Sequence, residues 1–293
     1  PLCLPAQPSK KLSGVLRSGV EKLEAGDHQG ALVDLDKAVK RNAKDAEPYY
    51  HRGRLKLAVG DKAGAIKDFS RAIEREPAHF KALKERGKVQ ALLGNHPAAI
   101  EDFSAAVAIQ SNFSAAYFNR ALSRMETADF RGAVDDFSKV LALNPLDREA
   151  LFRRGMAAFR AAQYPQAMQD LNRVIEADPK HAKAYKERGK VKAALEDLHG
   201  AVADFSTAIE LQPDFADAWF NRAMAKYNLE QYRESMADFT KAISVNPKDA
   251  QAHYFRGRAH FKLGEKAACC QDLSKAGELG YFKAYDLLKT YCR

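Results

Sequence analysis

No CxxC pair, HExxH signature or Gly-rich phosphate loop occurs in the 293 residues, so the sequence offers no zinc site and no nucleotide cradle, and neither metal nor cofactor is expected. It also lacks a nucleophile and base at any recognisable spacing, and an enzyme is not expected. No apolar run is long enough to cross a bilayer. Cys3 lacks the small residues that a lipoprotein cleavage box places before it, which removes a lipid anchor. What is present is charge: 47 Lys and Arg against 38 Asp and Glu give +9, favouring acidic partners and keeping nucleic acid as an alternative. Hydrophobic residues make up 46%, ample for a continuous core.

The chain is also regular. Ala216–Asp249, ADAWFNRAMAKYNLEQYRESMADFTKAISVNPKD, can be laid over everything from Leu12 onward at a fixed step of 34 residues. Within it Trp219, Arg222, Ala223 and Tyr227 fall at helical spacing, Ser235, Phe239 and Ala242 do so again, and Pro247 closes the pattern. That reads as helix, turn, helix, turn. With repeats starting at Leu12, Ala46, Phe80, Ser114, Arg148, Ala182, Ala216 and Ala250, position eight is always Gly or Ala and position twenty is Ala, Ser or Cys. Two antiparallel helices joined by a short turn approach most closely where both lack bulk. Gly26, Gly60, Gly94 and Gly264 fall at the inter-helix turn, where a left-handed residue ends the first helix. Position 32 is proline except at Ala43, Ser111 and Tyr281, where the second helices are expected to end less sharply.

This pattern resembles the tetratricopeptide repeat family, whose signature is a 34-residue helix–turn–helix with W-x2-L-G-x2-Y, then A-x3-F, then A and P. The resemblance, to bacterial Bacteroidetes-type arrays, implies an all-α fold. Expected is an α-solenoid of eight units (12–45, 46–79, 80–113, 114–147, 148–181, 182–215, 216–249, 250–281) in a right-handed superhelix, closed by a capping helix over 282–293. Residues 1–11 carry three prolines and read as an extended lead-in, either the tail of a secretory signal or a linker.

Two features recur beyond the minimal signature. Position 23 is Asp throughout (Asp34, Asp68, Asp102, Asp136, Asp170, Asp204, Asp238, Asp272), and position seven is Arg in seven repeats (Arg52, Arg86, Arg120, Arg154, Arg188, Arg222, Arg256). Pairing each Asp with the Arg of the following repeat uses every arginine and leaves Asp272 over, so an inter-repeat ladder is expected, structural rather than catalytic. Second, KERGK occurs at Lys84–Lys88 and Lys186–Lys190, and FNRA at Phe118–Ala121 and Phe220–Ala223, both 102 residues apart. The array repeats in blocks of three.

In the resembled family the first helices line a concave groove. Carried over, Lys81, Lys84, Lys88, Lys183, Lys186 and Lys190 face it, as do Tyr50, Phe118, Phe152, Phe220 and Tyr254, with Arg54, Asn119, Arg153, Asn221 and Arg258 beside them. Cations between exposed aromatic platforms suit an extended acidic peptide. The function implied is a non-enzymatic scaffold for a protein or peptide partner of unknown identity, possessing no transmembrane segment and serving as an accessory subunit of a larger assembly. One alternative is a co-chaperone-like carboxylate clamp: Lys84, Asn119 and Arg153 match it, whereas Lys88 and Glu149 stand where it has Asn and Lys. The other is nucleic-acid binding through the basic groove, opposed by Glu85, Glu187, Glu149 and Asp217 on the same face. The oligomeric state is left open. The closing segment from Gly264 resembles that of bacterial members, which place Cys at both of two points, here Cys270 and Cys292. The disulfide this implies would need an oxidising compartment, periplasmic or extracellular. Cys269, at the small packing position, is expected to be a buried thiol.

Overall fold

The fold is that of a computed structural model in which residues 14–292 are described. The expected lead-in, Cys3, the first repeat's start at Leu12 and the terminal Arg293 lie outside the described residues. The chain falls into two compact halves, residues up to Pro145 and residues from Leu146. The N-terminal half holds α1 (Gly14–Glu24), α2 (His28–Arg41), α3 (Ala46–Ala58), α4 (Lys62–Arg75), α5 (Phe80–Leu92), α6 (His96–Ile109), α7 (Ser114–Glu126) and α8 (Phe130–Leu143). The C-terminal half holds α9 (Arg148–Arg160), α10 (Tyr164–Ala177), α11 (Ala182–Ala194), α12 (Leu198–Leu211), α13 (Ala216–Asn228), α14 (Tyr232–Val245), α15 (Ala250–Lys262), α16 (Lys266–Glu278) and α17 (Lys283–Tyr291). No strand occurs among the described residues, and each first helix packs on the second helix of its own repeat: the fold is an all-α solenoid.

Local chemistry sets the helix limits. First helices end in a left-handed residue, at Gly26 (φ 80°), Gly60 (φ 85°), Gly94 (φ 79°) and Gly264 (φ 78°). In repeats four to seven the same conformation is held by Ala128, Ala162, Glu196 and Glu230, with φ between 58° and 65°. A Cβ in that region costs about 1–2 kcal/mol, offset by the packing of the helices on either side. Second helices often start on an Asp cap: Asp61 accepts from the Gly64 amide at 2.8 Å, and a Cβ on Gly64 would sit 2.0 Å from that carboxylate.

Packing explains the small residue at position eight. A Cβ on Gly53 would lie 2.7 Å from the Phe69 ring, and one on Gly189 equally close to Phe205. Phe69, Phe103, Phe137, Phe205 and Phe239 are fully buried, each contributing about 2–3 kcal/mol by leaving water. The capping helix is shorter than expected, with Ala284 buried beside Leu273 and Ala276 of α16. A disulfide joins Cys270 to Cys292, with a Cα–Cα distance of 5.8 Å. The Cys269 thiol is free and buried.

The Arg–Asp register departs from the expected one. Each Arg binds the Asp of its own repeat, not that of the preceding repeat. Arg52 Nε and Nη2 donate to Asp68 at 2.8 and 2.7 Å, and Arg256 does the same to Asp272 at 2.7 Å through both nitrogens. The residue left without an Arg is therefore Asp34, not Asp272: Ser18 and Lys22 bind Asp34 instead. The reason is geometric, since residues 16 apart face each other across one antiparallel helix pair. The link between repeats goes through the remaining nitrogen and position 25: Arg52 Nη1 reaches Asp36, Arg86 reaches Ser70, Arg188 reaches Asn172 and Arg222 reaches Ser206, at 2.8–3.0 Å. A second cation joins most of these Asp residues from position eleven, as Lys56 on Asp68 and Lys226 on Asp238, but the third repeat has the Gln90 amide there and the fifth has Ala158.

Candidate functional site

In the N-terminal half, the expected aromatic platform Tyr50 is not exposed. It is buried against the rings of Phe69, His51 and His79, and burial pushes its hydroxyl pKa up to about 12. Arg54 lies 5.9 Å from its centroid. Phe118 is half-buried, edge-on to Phe137. Lys84 and Lys88 both bind the buried Glu85 carboxylate, Lys88 at 3.2 Å, and Lys84 also sits 5.9 Å from the Phe113 ring. Burial works to raise the Glu85 carboxyl, but the two lysines outweigh it and hold it below its ordinary value. The pair of lysines therefore presents about one net positive charge rather than two. Lys81 is exposed, 6.0 Å from the Phe80 ring, and the Asn119 amide donates to its own helix at Ala115 O.

The C-terminal half repeats this scheme with different neighbours. Phe152 is buried against His181, so it too is core rather than platform. Arg153 donates to Glu149 at 2.6 Å, Asn221 donates to Asp217 O, and Phe220 packs on Phe239 and Phe255. Lys186 and Lys190 bind the buried Glu187 at 2.9 and 2.7 Å, and Lys183 is exposed. Here, however, Lys190 also lies 5.0 Å from the Phe159 ring and joins Asn221, Phe159 and Met224 around a cavity of about 210 Å³. Tyr254 and Arg258 line a second cavity, described below. The two aromatics buried at position five, Tyr50 and Phe152, are those packed on a histidine at position 34, His79 and His181, whereas Phe118, Phe220 and Tyr254 are half-buried. Phe159 and Tyr227, at position twelve of their repeats, are also half-buried, and each faces a cation, Lys190 and Arg258 respectively.

Models of the tetratricopeptide repeat match residues 50–113, 118–182, 180–226 and 216–249, more than half of the chain. The chain belongs to the tetratricopeptide repeat family. Its sequence matches no curated protein. A tetratricopeptide repeat protein from Parabacteroides merdae is similar in structure, with TM-score 0.67, 22% identity, and coverage of 85% of this chain and 99% of that one. The C-terminal part of a repeat-containing protein from Cytophaga hutchinsonii aligns at TM-score 0.65 and 16% identity over 81% of this chain and 97% of its own. YrrB, described as a tetratricopeptide repeat protein with an unusual peptide-binding site, aligns at 0.53 and 21% over 63% and 95%. At these identities the likeness is one of fold. Tetratricopeptide repeats are in general a protein-interaction fold, and no helix among the described residues is long and apolar enough to cross a membrane.

Proposed function

We propose that this tetratricopeptide repeat protein is a non-enzymatic scaffold that holds an acidic peptide or protein segment along its first-helix face, as an accessory subunit of a larger assembly. The observation that carries this is the cavity where Lys190, Asn221, Phe159 and Met224 meet: a cation already paired with a buried Glu, an amide and apolar walls in one small space. Holding Lys190 in place lowers the entropy lost when a carboxylate docks. YrrB, with its peptide-binding site, is a precedent within the fold. The clamp alternative gains no support, because Arg153 is engaged by Glu149. Nucleic acid is disfavoured by Glu85 and Glu187, which offset the lysines where a phosphate backbone would need them.

The test is crosslinked affinity purification with and without nuclease, comparing wild type with a variant carrying Glu at Lys81, Lys84, Lys88, Lys183, Lys186 and Lys190. A protein partner that survives nuclease and is lost with the variant supports the reading. A partner retained by a folded variant overturns it.

A further inference from the structure

The C-terminal half contains a cavity of about 350 Å³ between the last repeat and the capping helix. It is lined by Tyr227, Tyr254 and Arg258 of the first helices and by Leu287 and Tyr291 of α17, and Phe261 of α15, stacked on Tyr291 at 3.9 Å, also borders it. The Arg258 guanidinium lies 5.3, 5.8 and 5.6 Å from the Tyr227, Tyr254 and Phe255 centroids and makes no ion pair among the described residues. Every arginine at position seven has its Asp, Arg256 with Asp272 in this repeat, whereas Arg258, at position nine, has only rings. No Asp or Glu lines the cavity, and Lys262 adds a second cation at its edge, 6.0 Å from the Tyr232 ring. A guanidinium seated on aromatic faces keeps its in-plane donors for a bidentate acceptor, and apolar walls strengthen any charge pair formed there. Burial raises the Tyr254 hydroxyl, which fits a poorly hydrated wall. The volume is at the low end for ligand sites, enough for one side chain and its neighbour.

We propose that this cavity is an anchor site for the partner segment, taking an aromatic residue flanked by a carboxylate, the ring among Tyr227, Tyr254 and Tyr291 and the carboxylate on Arg258. It rests on the peptide-binding reading above. The capping helix is one wall of the site, and the Cys270–Cys292 disulfide fastens that wall to α16. The cap thus completes a binding site as well as covering the last core face.

The test uses the full chain with 13C-labelled tyrosine and the tripeptide Ac-Glu-Phe-Glu-amide, followed by NMR. Expected are shifts of Tyr227, Tyr254 and Tyr291, weakening at least tenfold in Arg258→Gln, partial recovery in Arg258→Lys, and no change in Lys241→Gln, at an exposed position of α14. Ac-Gln-Phe-Gln-amide and Ac-Glu-Ala-Glu-amide should each bind several-fold more weakly. Silent tyrosines at millimolar tripeptide, or equal binding by a folded Arg258→Gln, overturn the proposal. Partner crosslinks lost with the six-lysine variant while these tyrosines stay silent overturn the anchor alone. Responsive tyrosines beside partner crosslinks unchanged in that variant overturn the role of the lysines alone, since Tyr227 and Tyr254 themselves lie on first helices.

Discussion

Lys84–Lys88 and Lys186–Lys190 carry the same five residues, KERGK, one copy in each half, yet their surroundings differ. Both copies bury the Glu between two lysines and both send the Arg to an Asp 16 residues on. One difference lies in the following repeat, where Lys186 also meets Asp217 at 3.6 Å and the first copy has Ala115; the other lies one repeat back. Before the first copy, Glu47 meets the buried His51 at 3.3 Å and His79 at 3.9 Å, and position twelve is Leu57. Before the second, Glu149 binds Arg153, and position twelve is Phe159, which faces Lys190. A repeat's own residues fix its internal ion pairs; the preceding repeat decides whether an aromatic ring faces them, as Phe159 faces Lys190.

The shared part should break equally in both halves. Asp102→Ala and Asp204→Ala each leave a guanidinium without its bidentate partner, and each should cost about 2–3 kcal/mol, somewhat below a fully buried pair because the arginines are partly exposed. Urea midpoints of the two variants check this, and a loss in one half only would contradict the shared design. Removing the central charge separates the copies: Glu187→Gln should cost about 1–2 kcal/mol and Glu85→Gln less, since Glu85 is 9% exposed and Glu187 4%.

Acid should act on the N-terminal half. Burial, outweighing Glu47, holds His79 below its ordinary value, and its Nδ1 accepts the Ala82 amide at 3.2 Å, a role that needs the neutral ring. The unfolded chain therefore takes up a proton first, and stability falls as pH drops below about 6.5. Glu47, lowered chiefly by its hydrogen bond with His51, adds a loss in the same direction only below its ordinary value of 4.5. Between pH 7 and 5 the protection of α3–α5 amides against hydrogen exchange should therefore fall. His79→Asn, which can cap but does not titrate, should abolish that drop.

Phe159→Leu, which gives the second copy the neighbour of the first, should weaken acidic-peptide binding about three- to fivefold while leaving stability within about 1 kcal/mol. An unchanged affinity would mean that the ring beside Lys190 is packing only. The smallest effect concerns the turns: α5 ends at Gly94 and α11 at Glu196, both left-handed. Glu196→Gly should stabilise by about 0.5 kcal/mol, and Gly94→Glu should destabilise by about 1, read as shifts in melting temperature.

Much of this was legible in residue types. Helices α3, α5, α7, α9, α11, α13 and α15 begin at the residues where the 34-residue step restarts, because small residues and turn residues recur without a break. The Arg and Asp columns were visible too, but not their pairing: Arg52 is 18 residues from Asp34 and 16 from Asp68, and only helix-pair geometry separates those choices. Exposure at position five was equally hidden. Tyr50 and Phe152 alternate with lysines in sequence, but their burial comes from His79 and His181, which pack on the rings from the turn after each second helix. The left-handed Ala128 and Glu196 carry no glycine signal at all.

The most direct measurement places a benzophenone side chain at Asn221 on the first-helix face, or at the exposed Lys241 on second helix α14, and irradiates each protein with an acidic peptide. Crosslinks at 221 and none at 241 are the predicted result. Crosslinks at 241 with none at 221 would contradict recognition by the first helices.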